Sequence, residues 1–237
     1  MTTVIRKVPK LLRRLAGKGC QASDFAPVYS RAEHDAWGYS ENSFEAARFA
    51  LILDVLSGVS VGRALEVGCA EGHLTGRLAA HADELIACDI VHEALDRAAL
   101  QCAGVANVRF LRADVREHWP QGRFDLLVFS DVLNYFSKAE VRKVLRDSAQ
   151  RVGTGGYLLF ANTWNNRWRW STRPTYVIHQ LVRSGSWETF RHRDHVDAPS
   201  GRSITIRLFR RRPLAESPVA ASSSGSGPSV GGKSSVS

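Results

Sequence analysis

The sequence predicts an α/β fold: a mostly parallel sheet wrapped by helices and closed by an antiparallel hairpin. Three observations predict it. Apolar runs ending at Val67, Asp89, Leu111, Ser130 and Ala161 alternate with segments of helical period, as βαβ units require. The first run turns through small residues, Gly68-Cys69-Ala70-Glu71-Gly72. After residue 186 the period drops to two, in Trp187–Arg193 and Ser203–Phe209.

Phe44, Ala47, Leu51 and Val55 mark a helix from Ser43 to Leu56, with Asn42 or Ser43 as N-cap. The first strand spans about Arg63 to Val67, and a helix is expected from near Gly72 to Ala80. The second strand ends at Asp89, and a helix follows from His92 to Ala103. Asn107 to Leu111 reads as the third strand. Phe124–Ser130 is almost continuously apolar, as expected of a strand buried on both faces. Val141, Val144, Leu145, Ser148 and Val152 form the inner face of the next helix. Gly155-Gly156 then turns into a fifth strand, Tyr157 to Ala161. The turn cluster Asp197–Gly201 separates the two hairpin strands at one sheet edge.

The chain of 237 residues divides into a basic arm (1–20), a leader with a lid or leader helix (21–60), the sheet domain (61–213) and a Ser/Gly-rich tail (214–237) expected to be disordered. The net charge of +9 is uneven: residues 1–20 hold six Lys/Arg and no acid, residues 21–163 are net −5, and residues 164–212 are net +8. The arm has helical apolar spacing interrupted by Pro9, so it is a solvated arm or a weak contact for an anionic membrane. Nucleic acid is not expected as a partner, because no recognition motif accompanies the charge. Four cysteines without paired spacing, and no secretory or membrane-spanning run, point to a reducing, cytoplasmic compartment. The eight histidines show no metal spacing.

A glycine-rich turn at one strand end and an acidic residue at the next describe a nucleoside site. A dinucleotide fingerprint wants glycine where Ala70 and His73 stand, and Glu66 would repel phosphate. A phosphate-free nucleoside such as S-adenosyl-L-methionine, with its cationic sulfonium and ammonium, tolerates these acids. The candidate cofactor residues are Glu66, Gly68, Cys69, Ala70 and Gly72 in the turn, and Asp89 with Ile90 after the second strand. Asp89 is expected to accept both ribose hydroxyls, its alternative role being a helix N-cap. Asp114 is expected to accept the adenine amine, with the Val115 N–H serving a ring nitrogen.

Glu66-x-Gly68-x-Ala70-x-Gly72, Asp89, Ala113-Asp114, Phe124–Leu127 and Gly153–Tyr157 resemble the successive motifs of class I S-adenosylmethionine-dependent methyltransferases. The resemblance covers about residues 40–162 and implies a Rossmann-like, seven-stranded, mostly parallel sheet with a reversed strand inserted by the hairpin. Asp35-Ala36-Trp37-Gly38-Tyr39 and Phe44-Glu45-Ala46-Ala47-Arg48-Phe49 are similar to the N-terminal segment of nodulation protein S and its relatives. Those are N-methyltransferases acting on an amino group of a chitooligosaccharide. The family usually has Pro at the place of Ala36 and often Tyr at that of Phe44.

Trp37 and Tyr39 are candidates for a lid over a sulfonium, or for anchors of the leader helix. Arg48 is a candidate partner for the methionine carboxylate or for Glu66. Ser130 ends the fourth strand, and Asp131 follows at the carboxyl edge of the sheet. Asp131 is the candidate catalytic group, holding the acceptor amine and taking its proton, and Tyr135 is a candidate to orient the acceptor. The alternative for Asp131 is a helix N-cap. No histidine is placed beside Asp131, which favours an amine over a hydroxyl acceptor. Trp164, Trp168 and Trp170 with Arg167, Arg169 and Arg173 suit sugar faces or a partner surface. The alternatives to an amino-sugar or glycan acceptor are O-methylation of a glycan or small metabolite, and a non-catalytic scaffold of the same fold.

Overall fold

The computed structural model describes residues 19–31, 35–39, 43–165, 172–198 and 200–213. The proposed arm up to residue 18, Asn42, the Trp168 region and the tail lie outside the described residues. The elements are α1 (Ala22–Arg31), α2 (Ser43–Val55), β1 (Val61–Val67), α3 (Thr75–Leu78), β2 (Ala82–Asp89), α4 (His92–Gln101), β3 (Val108–Arg112), β4 (Phe124–Ser130), α5 (Lys138–Arg151), β5 (Val152–Trp164), α6 (Pro174–Arg183), β6 (Trp187–Asp197) and β7 (Arg202–Arg211).

One seven-stranded sheet runs in the order β3-β2-β1-β4-β5-β7-β6. β1 to β5 are parallel, and β7 runs antiparallel between β5 and β6. The chain winds outward from β1 in one direction and from β4 in the other. The gap between the carboxyl ends of β1 and β4 is therefore the switch point where an open sheet receives its ligand.

β4 shows why the sheet sits centrally. Successive side chains point to opposite faces. Leu126 and Val128 join the cluster with Ile52, Leu56, Leu159 and Ile206, while Leu127 and Phe129 join that with Val144, Leu145, Phe160 and Leu181. α2 covers the first face, and α5 and α6 cover the second. A capping box starts α5: Ser137 Oγ accepts from the Glu140 N–H, and Glu140 accepts from the Ser137 N–H.

Four elements differ from the sequence expectation. The helix expected from Gly72 to Ala80 shrinks to α3 and a 3-10 turn, Ala79–His81, because Ala70 and Gly72 have φ of +49° and +81°. Val152 opens β5 instead of closing α5, and Gly153–Gly156 form an irregularity inside the strand rather than a turn before it. A Cβ on Gly156 would lie 2.9 Å from the Asp125 carbonyl oxygen, so only glycine passes there. α1 and α6 were not expected. Pro27 lies inside α1 and masks its pattern, whereas α6 carries a readable start, Pro174 at its first turn.

Candidate cofactor and acceptor site

The loop after β1 is pinned before any ligand arrives. The N–H groups of Gly68 and Cys69 both donate to the Cys88 carbonyl, at 2.7 and 3.0 Å. Gly68 has φ +75°, and a Cβ there would meet Val132 at 2.8 Å, so the loop and the end of β4 approach closely. The Ala70 N–H donates to Asp89 Oδ2 at 3.0 Å, and the Val91 N–H to Oδ1 at 3.0 Å. Both oxygens of Asp89 are thus aimed by backbone, with lone pairs left at the cavity it lines. Burial raises the Asp89 pKa, and these backbone bonds counter the rise. The N-cap of α4 is Val91, without side-chain capping.

Ile90, Ala113, Val115, Phe25 and Phe136 give the same cavity apolar walls. Asp114 borders it, gripped by its neighbour: Oδ1 accepts from Arg116 Nε at 2.8 Å and Oδ2 from Nη2 at 2.6 Å. Burial opposes ionisation of Asp114, but the Arg116 bonds hold its carboxyl below the ordinary value. Arg116 also donates to the Cys20 carbonyl at 2.7 Å.

The leader crosses this crevice as a strap. The Ala36 N–H donates to Glu71 Oε2 at 2.8 Å, and Arg97 pairs with Glu71 Oε1 at 2.7 Å. Arg97 Nη2 also donates to the Tyr29 carbonyl, and Trp37 Nε1 donates to the Tyr29 hydroxyl at 2.9 Å. Trp37 and Tyr39 line the cavity while being anchored, so wall and anchor are one function. Asp35, Glu71 and His73 place candidate ligand atoms within 4.8 Å of one another, but the Glu71 oxygens already face Arg97 and the Ala36 N–H.

Across the switch point lies a charged floor. Arg48, 2% exposed, pairs through Nε with Glu45 Oε2 at 2.8 Å and through Nη1 with Asp131 Oδ2 at 3.5 Å, and it donates to Ser130 Oγ. Burial opposes its charge, but Asp131 and Glu45 more than compensate and hold the guanidinium above its ordinary pKa. Asp131 has φ +51°, and its N–H donates to the Ala161 carbonyl at 2.9 Å. Its side chain receives Asn162 Nδ2 at 2.9 Å, the Thr163 N–H at 2.5 Å and Thr163 Oγ1 at 2.9 Å. It does not cap the 3-10 turn Leu133–Tyr135, whose N-cap is Val132.

Of the expected site residues, Trp37, Gly68, Ala70, Asp89, Ile90, Asp114, Val115, Ser130, Asp131 and Tyr135 line one cavity. Arg48, Glu66, Cys69 and Gly72 do not. Arg48 lies beneath the floor, bound to protein carboxylates, and it forms no pair with Glu66. Cys69 packs with Ala87, Leu95 and Ala98. Gly72 serves close packing, since a Cβ there would come within 3.0 Å of Ala98 Cα. Glu66, 2% exposed, accepts from Thr75 Oγ1 at 2.6 Å and ties β1 to α3. Glu45, Asn134, Thr163 and Arg202 also line the cavity and were not expected there. Glu45 and Arg48 are three apart on α2, a spacing that could have paired them. Nothing in the sequence draws Arg202 to that pair.

Burial pushes the Glu66 carboxyl from its ordinary 4.5 up to about 7. The folded state therefore favours the protonated acid. Its contribution is fully present below pH 4.5 and is lost as pH rises through about 7. A shift of that size corresponds to roughly 3 kcal/mol. Glu66→Gln is expected to unfold at higher urea than the wild type at pH 8 and at the same urea near pH 4.5. An equal gap at both pH values would show that Glu66 does not charge in this window.

Residues 29–206 match the family described as Nodulation protein S (NodS). Nodulation protein S of Rhizobium tropici is 35% identical over 157 residues, which are 64% of this chain and 66% of that protein. Nodulation protein S of Sinorhizobium fredii (strain NBRC 101917 / NGR234) is 32% identical over 133 residues, 55% of this chain and 62% of that protein. The chain thus spans just under two thirds of the length of these curated relatives. Among solved structures, N-methyltransferase NodS from Bradyrhizobium japonicum WM9, in complex with S-adenosyl-L-homocysteine, superposes with a TM-score of 0.71. It is 24% identical and aligns over 78% of this chain and 97% of that one. That likeness shows a Rossmann-like methyltransferase fold.

Proposed function

We infer the reaction from one premise: the chain belongs to the nodulation protein S family. The reading it supports is an S-adenosyl-L-methionine-dependent methyltransferase whose acceptor is an amino group of a small molecule or oligosaccharide, of the amino-sugar or chitooligosaccharide type. Four free, buried cysteines agree with a reducing, cytoplasmic setting.

The observation that carries the reading is Asp89. Its carboxylate is preset by two backbone N–H groups at the switch point, beside the bare backbone of Gly68 to Ala70. A carboxylate so held suits a ribose diol and repels a phosphate. The apolar walls formed by Ile90 and Val115 suit a flat base, and Asp114 borders them with both its oxygens engaged by Arg116. The residues therefore fit the nucleoside. When bound, it supplies a methyl group on a cationic sulfur, which leaves as a neutral thioether.

The residues of the chain supply alignment and dryness, the main demands of an in-line displacement. Trp37, Tyr29 and Tyr39 wall the crevice from solvent. The carboxylates at its floor stabilise positive charge that develops on the acceptor. Among the described residues no histidine lines the cavity, and the proton acceptors there are carboxylates, which are weak bases for a hydroxyl acceptor. This favours N- over O-methylation.

Calorimetry with S-adenosylhomocysteine, followed by transfer of labelled methyl to glucosamine, tetraglucosamine, glucose and cellotetraose, tests the reading. Binding is expected, with label on the amino sugars alone. Comparable labelling of the plain sugars would move the assignment to O-methylation. Binding without transfer to any of them would leave a scaffold.

A further inference from the structure

Two carboxylates border the acceptor half of the cavity, Glu45 and Asp131, and they differ in the capacity they have left. A carboxylate offers about four lone-pair directions. Asp131 uses three on Asn162 Nδ2, the Thr163 N–H and Thr163 Oγ1, and Arg48 faces the fourth at 3.5 Å. Those bonds join the ends of β4 and β5, so they fix backbone. Among the described residues, Glu45 accepts one hydrogen bond, from Arg48 Nε to Oε2. Its Oε1 has only Arg202 Nη1 at 3.6 Å, beyond hydrogen-bond distance.

Glu45 is 8% exposed, so an oxygen with open lone pairs is held out of bulk water beside the cavity. Arg48 clamps the other oxygen and, being tied to Ser130 and Asp131, cannot swing away with it. A second acceptor stands nearby. Asn134, 7% exposed, lines the same cavity, and its Oδ1 is buried without a hydrogen-bond partner among the described residues. Tyr135 lines the same cavity; burial raises its phenol most, and the charges of Asp131 and Glu45 add to the rise.

We propose that Glu45 Oε1 and Asn134 Oδ1 receive the two N–H groups of an uncharged primary amine, that Glu45 is the catalytic carboxylate, and that Asp131 is a positioning residue. The proposal rests on the amine-methylation reading above. With both hydrogens held, the nitrogen lone pair is the direction left for the methyl. That pair forms the N–C bond, the S–C bond breaks, and its electrons return to sulfur. The nitrogen becomes cationic, and one of its protons passes to Glu45 Oε1 and then to solvent. A hydroxyl carries one hydrogen and would leave one of the two acceptors bare, which disfavours it.

The test is labelled-methyl turnover on tetraglucosamine by the wild type, Glu45→Gln and Glu45→Asp, with S-adenosylhomocysteine affinity measured on each. Glu45→Gln is expected to lose on the order of a hundredfold in kcat while affinity for S-adenosylhomocysteine stays within about twofold. Glu45→Asp keeps a carboxylate but draws it back from the nitrogen. It is expected to fall between the other two, and it carries the test should Glu45→Gln unfold. Turnover within about threefold of wild type in a variant that binds S-adenosylhomocysteine overturns the assignment and leaves the amine reading standing. A wild type that binds S-adenosylhomocysteine and methylates neither glucosamine nor tetraglucosamine overturns both.

Discussion

Asp89→Ala is expected to weaken S-adenosylhomocysteine binding by about 3 kcal/mol, roughly a hundredfold. Hydrogen bonds to a charged group are worth about 1.5–3 kcal/mol each, and two ribose hydroxyls are at stake. The same change strands the Ala70 and Val91 N–H groups that Asp89 satisfies. It also frees the loop at Ala70, whose φ of +49° those bonds help to hold. Asp89→Asn keeps the shape but offers one acceptor oxygen, so its loss should be intermediate. Titration calorimetry reads both variants, and an unchanged affinity in Asp89→Ala would remove the ribose from this residue.

Arg48→Met is expected to destabilise the fold by about 3–5 kcal/mol at neutral pH, the cost of breaking a buried ion pair from one side. The guanidinium serves Glu45 and Asp131 together, and all three are at least partly buried. Removing it leaves two carboxylates facing each other across the cavity floor. The double variant Arg48→Met/Glu45→Gln should recover a substantial part of the loss, because charge then leaves in a matched pair. Urea unfolding of the two variants measures it. A single variant within about 1 kcal/mol of wild type would show that solvent already screens this network.

How far these residues were readable from the chain depends on the kind of information each one needs. β4 was legible to the residue, since a run apolar on both faces has one home in such a sheet. The hairpin was legible from its period, and Asp89 from its place at a strand end. Glu66 lies off the cavity by a rule the sequence already contains. Side chains alternate along a strand, so once Val67 borders the cavity its neighbour must point elsewhere. Arg48 was legible only in part: its pair with Glu45 follows from a spacing of three on α2, but Ser130 and Asp131 come from the end of β4, and only tertiary packing brings them to that helix. The leader left the faintest trace, because it is fastened largely through backbone: the Ala36 N–H and the carbonyls of Cys20 and Tyr29. Main-chain groups are the same at every residue and leave no signature in composition or spacing.

That manner of fastening also decides what the leader can tolerate. Arg116 and Arg97 grip the carbonyls of Cys20, just before α1, and of Tyr29, in its last turn, with most of the helix as the spacer between them. Outward-facing side chains along that spacer are free to drift. Its length is not, because removing one residue from a helix turns everything beyond it by about 100° and shortens the reach by about 1.5 Å. One carbonyl would then miss its arginine. Over this stretch an outward-facing substitution is a small event, whereas an insertion or deletion unfastens the cover.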